Sequence, residues 1–182
     1  MRRILAELPE TLDETYERIL RNIHKTNQVH ARRLLQCLTV AKRPLAVDEL
    51  AEVLAIDFDA AGGSPKLYED FRWADQEQAI LYACSSLVTI VEVGGSRRVH
   101  FSHFSVREYL TSERLATSTV DVLCDHHIRL QPAHAIMAQA CLGVLLRLDD
   151  YMDKDTVESY PLAEYAVKFF VHHAKLGCII TD

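Results

Sequence analysis

Glycine and proline are scarce, at 6 and 5 of 182 residues. That excludes collagen-like and low-complexity chains. Long apolar runs are missing too. The longest candidate, Leu87 to Val93, is interrupted by Thr89 and Glu92, far short of the roughly 18 residues a membrane span needs. Paired cysteines are also absent. Cys37, Cys84, Cys124, Cys141 and Cys178 are odd in number and none stands in C-x-x-C spacing, so reduced, packed thiols are expected. The opening MRRILAELPE has no apolar core of a secretory leader, and a cytoplasmic location is the expectation. No repeat of about 20–50 residues is visible inside the chain. Motifs of catalysis are absent as well: no G-x-x-x-x-G-K-[ST], no G-x-S-x-G, no H-E-x-x-H and no G-x-G-x-x-G.

What remains is an ordinary globular composition, 49% apolar and 25% charged. The length suits one domain, or one domain with an extension, and it suffices to bury a core without staples. The net charge of −6 is unevenly spread. Residues 1–43 hold nine basic and five acidic groups, residues 44–182 eleven and twenty-one. A basic end can meet an acidic partner, but Arg18, Arg21, Lys25, Arg32 and Arg33 alternate with apolar residues at helical spacing. They read as solvated helix faces.

Periodicity supplies the elements. Thr11 and Glu14 form a T-x-x-E box after Pro9, predicting a helix from there to about His24 with Tyr16, Leu20 and Ile23 inward. A second helix is expected over Val29–Ala41, with Lys42-Arg43 suited to its C-terminus and Pro44 ending it. A third runs over Val47–Ala55, opened at Ala46 or, by a side-chain cap, at Asp48. Asp57–Tyr68, with Gly62-Gly63-Ser64-Pro65, reads as a loop. A fourth helix begins near Asp75 and carries Ile80, Leu81 and Cys84. Leu87–Val93 and Arg97–His103 flank Gly94-Gly95-Ser96 as a β-hairpin. Ser105 and Glu108 form a second box, S-x-x-E, opening a helix with Val106, Tyr109 and Leu110 inward. Pro132 and Pro161 each suit the first turn of a further helix. The expected fold is mainly α: a winged-helix domain over residues 28–116, three helices plus a β-hairpin wing, followed by a helical extension over 117–182.

The candidate sites are few. Cys124, His126, His127 and His134 lie near one another, but C-x-H-H is no zinc spacing and no metal site is expected. Asp149, Asp150, Asp153 and Asp155 surround a turn that lacks the glycine of a calcium loop and reads as solvated. His172-His173 reads as surface, with one residue outward. No spacing supports a Cys–His hydrolase, and no catalytic residue is assigned. His103 is better placed, between the wing and the helix at Ser105. An imidazole there can donate to a phosphate beside a helix N-terminus, or can simply bond a neighbouring backbone carbonyl.

Leu8-Pro9-Glu10-Thr11-Leu12-Asp13-Glu14-Thr15-Tyr16-Glu17-Arg18-Ile19-Leu20 resembles a signature of fungal NACHT-type signal-transduction NTPases, which are NLR-like and commonly carry ankyrin repeats. The likeness continues collinearly through Arg43-Pro44-Leu45, Asp48-Glu49-Leu50-Ala51-Glu52 and Cys84-Ser85-Ser86-Leu87-Val88. It reaches Val99 to Leu110, then Ala133-His134, Cys141-Leu142 and Pro161 to Ala166. The resemblance implies that residues 1–27 are a linker helix after an NTPase domain, and that 117–182 lead toward repeats. It implies a non-catalytic regulatory module whose partners are the NACHT and repeat domains of the same polypeptide, with oligomerisation on activation. His103, in Phe101-Ser102-His103-Phe104-Ser105, matches the residue that contacts the nucleotide's β-phosphate, so the cofactor of the parent protein would be ADP/ATP or GTP, with none for this chain alone. Ala46 departs from the Thr or Ser usual in the family. The alternative class is a winged-helix DNA-binding protein. The helix near Asp75–Cys84, which such proteins place in the major groove, holds Asp75 and Glu77 and no Lys or Arg, and only Arg97-Arg98 remain to meet phosphate. Neither nucleic acid nor membrane is an expected partner.

Overall fold

A computed structural model describes residues 4–148 and 158–178. Helix α1 spans Ile4–Asn22. It therefore begins ahead of the expected box, and Thr11 lies within the helix rather than capping it. The apolar spacing explains this: Ile4, Leu8, Leu12, Tyr16 and Leu20 recur every four residues straight through Pro9. The missing proline N–H removes one backbone bond and does not end the helix. Tyr16, Leu20 and Ile23 are buried as expected, and Arg18, Arg21 and Lys25 are exposed.

Helix α2 (Gln28–Val40) is the central element. Beyond Ala31, Leu34 and Leu35 it buries Gln36, Cys37 and Thr39, because neighbours cover it on several sides. Thr39 satisfies its hydroxyl internally by donating to the Leu35 carbonyl at 2.7 Å. After Pro44 comes a two-residue strand, β1 (Leu45–Ala46), then α3 (Val47–Glu52), extended by a turn of 3₁₀-helix over Val53–Ala55. Ala46 is the N-cap. The lost cap side chain is offset from within the helix: Glu49 accepts the Ala46 N–H at 2.7 Å, and Asp48 accepts the Glu49 N–H at 2.8 Å.

The expected loop at 57–68 is a small hairpin. Strands β2 (Ile56–Asp57) and β3 (Lys66–Leu67) pair antiparallel, and Ile56 and Leu67 face each other in the core. Helix α4 (Gln76–Cys84) starts at Asp75, whose carboxylate accepts the Gln78 N–H at 2.9 Å. Strands β4 (Val88–Val93) and β5 (Ser96–Phe101) form the wing. Gly94 and Gly95 make its two-residue turn with φ of +58° and +76°, the positive values this hairpin needs. Leu45 pairs with Val99, so the sheet has the order β1-β5-β4. Helix, strand, two helices and wing complete a winged helix.

Helices α5 (Phe104–Leu110), α6 (Glu113–Ala116), α7 (Asp121–Asp125), α8 (Leu130–Leu145) and α9 (Ala163–Leu176) follow. One apolar cluster runs from Tyr16 to Ala166, across the boundaries at 27 and 116. Small residues on α8, Ala133, Ala140 and Cys141, let it approach α2 and α9 closely. A Cβ on Gly177 would come within 2.7 Å of the Ala135 backbone, so only glycine fits where α9 ends against α8. Glu52, 2% exposed, ties the extension to the winged helix: it accepts the Leu162 N–H at 2.8 Å and pairs with Arg72.

Candidate functional site

His103 stands between β5 and α5 and is itself the N-cap of α5. This corrects the expected cap at Ser105. The reason is that Nδ1 of the imidazole accepts the Ser105 N–H at 3.3 Å, doing what a serine oxygen would otherwise do. Ser105 turns its hydroxyl elsewhere: Oγ lies 2.6 Å from His103 Nδ1 and 2.7 Å from the Tyr16 hydroxyl. Tyr16 donates to Ser105 Oγ, which donates to His103 Nδ1. Because Nδ1 accepts, the neutral ring carries its proton on Nε2. His103 is exposed, and its ring packs against Phe104 with centroids 4.2 Å apart. The site therefore presents one fixed imidazole N–H donor, oriented by a relay that begins on α1. Backbone donors add little, because α5 has only seven residues and the Ser105 and Val106 N–H groups are already taken. Glu108 plays no capping part in this arrangement.

The wing bears on the nucleic-acid reading. Arg97 pairs with Glu77 of α4. Arg98 donates to the Pro44 carbonyl at 2.9 Å and lies 3.9 Å from Glu49. Glu49 is also held bidentately by Arg43, at 2.6 and 2.7 Å. Both wing arginines are thus engaged by the domain itself.

The remaining candidates separate. Cys124 donates to the Ser118 carbonyl at 2.8 Å. His126 is buried, its Nδ1 without a partner, and burial with the nearby Arg32 pushes its imidazole pKa down against the pull of Asp125. Among the described residues no group of three His, Cys, Asp or Glu side chains is placed to hold a metal. Asp149, Asp150, Asp153 and Asp155 lie outside the described residues. Among the described residues no helix is long and apolar enough to cross a membrane.

The His172-His173 pair corrects the surface reading in one half. His172 is exposed, but His173 is fully buried. Tyr165, also fully buried, accepts the Lys42 backbone N–H at 3.0 Å and donates to His173 Nε2 at 2.9 Å. The proton of His173 then sits on Nδ1 and goes to His134 Nδ1, 2.8 Å away. This assignment gives the Tyr165 hydroxyl, both ring nitrogens of His173 and Nδ1 of His134 a partner each. It keeps both rings neutral. Burial, with His134, His172 and Lys42 adding repulsion, pushes the His173 pKa down to about 4. Burial followed by His172 and Lys42 lowers that of His134 as well. The signal was in the sequence: His173 lies eight residues after Tyr165, on the same helix face as Phe169.

A family model described as the winged helix domain of GPI inositol-deacylase matches residues 16–128. A curated relative, azaphilone pigments biosynthesis cluster protein L of Monascus ruber, is 33% identical over 176 residues, 93% of this chain. The match covers 36% of the relative, so the chain spans about a third of its length. No solved structure matches.

Proposed function

The chain belongs to the winged helix family of GPI inositol-deacylase, and from that premise we propose that it is a non-catalytic regulatory module of a NACHT-type signal-transduction NTPase. In this reading it packs on a nucleotide-binding domain, holds it in the resting state and couples a following repeat domain to switching. The observation that carries the reading is the state of His103. Its ring is exposed, locked by Tyr16 and Ser105, and left with an Nε2 proton to donate. Such a donor suits the β-phosphate of a bound nucleoside diphosphate and ties two domains together through it. The relay starts on α1, the helix that would follow the nucleotide-binding domain, so a movement of that domain would reach the histidine directly.

The engagement of Arg97 and Arg98 by Glu77 and Glu49 argues against the DNA-binding alternative. Phosphate contact there would have to break interactions the domain already makes, on a chain of net charge −6.

In the full-length protein, His103→Ala should speed ADP release and raise spontaneous assembly. Tyr16→Phe, which removes only the far end of the relay, should do the same more weakly. The measurement is the off-rate of a fluorescent ADP; an unchanged rate in His103→Ala removes the sensor role.

A further inference from the structure

We propose that a groove where α2, α5, α8 and α9 converge binds a phosphate-bearing anion. The groove has a volume of about 370 Å³. Each of the four segments supplies one nitrogen base to its lining: Lys42 just after α2, Arg107 from α5, His134 from α8 and His172 from α9. No carboxylate lines it among the described residues. Its remaining walls are largely apolar, including Leu130 and Leu176.

Two features separate this groove from an incidental cluster of surface charge. The first is the lack of counter-charge. Six arginines elsewhere find carboxylates of the same chain: Arg21 with Glu17, Arg43 with Glu49, Arg72 with Glu52, Arg97 with Glu77, Arg114 with Asp13 and Arg147 with Glu69. Among the described residues the Lys42 ammonium and the Arg107 guanidinium make no ion pair. Each cation near a helix C-terminus suits its own helix dipole, but nothing in those dipoles requires them to converge. The second is pre-organisation. The Lys42 backbone N–H is fixed by Tyr165, and the same hydrogen-bond chain through His173 fixes the ring of His134. With Nδ1 of His134 accepting, its proton sits on Nε2, a second donor set in place before any ligand arrives. The His172 ring meets His134 edge-on, centroids 5.9 Å apart. Lys42 and Arg107 are like charges in one lining, and a bound dianion relieves their mutual repulsion.

A phosphate group matches the set: two permanent cations, one a planar fork that takes two oxygens at once, and two imidazole N–H donors. The apolar walls leave room for a small organic body beyond it. The phosphate can come from a soluble phosphate ester or diphosphate, or from a phosphorylated lipid headgroup.

Pyrophosphate titrated into the chain at low salt, followed by calorimetry and by the ring signals of His134 and His172, tests the proposal. Saturable one-site binding that weakens with added salt is expected. The double variant Lys42→Gln, Arg107→Gln should lose at least about tenfold in affinity while its thermal melt stays put, since both side chains are exposed. Arg32→Gln, which removes an exposed cation outside the groove, should bind as the parent does, which ties the binding to this groove. Flotation with phosphatidylcholine vesicles, with and without a phosphoinositide, distinguishes the sources: binding to the doped vesicles with weak uptake of pyrophosphate assigns a lipid headgroup. Absence of binding in both arms, an unaffected double variant, loss of binding in Arg32→Gln, or tighter binding of an acidic peptide than of pyrophosphate would overturn the proposal.

Discussion

Arg97 and Arg98 on the wing reach inward to partners within the domain, while Lys42 and Arg107 in the groove make no ion pair among the described residues. The two regions share a stretch of chain, since Arg43 is neutralised by Glu49 and the adjacent Lys42 is left open. What separates them is the placement of carboxylates. Glu49 and Glu77 stand on α3 and α4, which pack beside the wing; none stands on the surfaces of α5, α8 and α9 that meet Lys42. Cations on the wing hold structure, and cations in the groove are available. A count of basic residues along the sequence draws no such distinction.

The largest effect that would sharpen this contrast is expected at Glu49. The carboxylate is nearly buried, held bidentately by Arg43 and by the Ala46 N–H. Glu49→Ala should cost about 3 kcal/mol in urea denaturation, because it strands a guanidinium and a helix N-terminal donor together. A loss under about 1 kcal/mol would show that the wing cations are no more structural than those of the groove.

Acid should act next, and on the groove side. The His173 and His134 rings are neutral in the fold, and their pKa values lie below the ordinary 6.5. The unfolded chain therefore takes up protons first as pH falls. Stability is full above about pH 6.5 and declines toward pH 4, at up to about 1.4 kcal/mol per pH unit for His173. Lys42, His172 and Tyr165 face this pair, and His126, also lowered, adds to the decline. Glu52, raised by burial, works the opposite way within the carboxylate range. Denaturation midpoints that do not move between pH 7 and 5 would contradict a neutral His134–His173 pair.

The smallest effect is expected at the exposed wing pair. Glu77→Gln frees Arg97 and should cost under about 1 kcal/mol, less still at high salt. A thermal melt in low and high salt checks it; a larger, salt-insensitive loss would place this pair with Glu49.

Much of the fold was legible in local pattern. Gly94-Gly95 between a β-branched run and an alternating one marks the wing, because few other residues tolerate two successive positive φ angles. Asp75 marks the start of α4, and apolar residues at steps of three and four mark α1 from Leu12 onward. Strands β1, β2 and β3 were not legible, because two residues cannot show an alternation. His103 stood out in the sequence as a candidate, yet its role as the cap of α5 did not. Ser105 is the better capping residue by propensity, and Tyr16, 89 residues away, draws its hydroxyl into a different bond.

The sequence by itself determined the class of the molecule: a mainly helical winged helix with a helical extension, acidic beyond residue 43 and without the motifs of an enzyme. Those properties follow from composition and from contacts a few residues apart, which repeat along the chain and can be read from it. Only the tertiary structure decided which charges cancel and which rings hold a proton on which nitrogen. Arg97 meets Glu77, Arg98 nears Glu49, and Lys42, Tyr165, His173 and His134 line up in one hydrogen-bond chain across segments more than a hundred residues apart. Electrostatics and burial act through distance in space, and that distance is set by how α2, α8 and α9 pack.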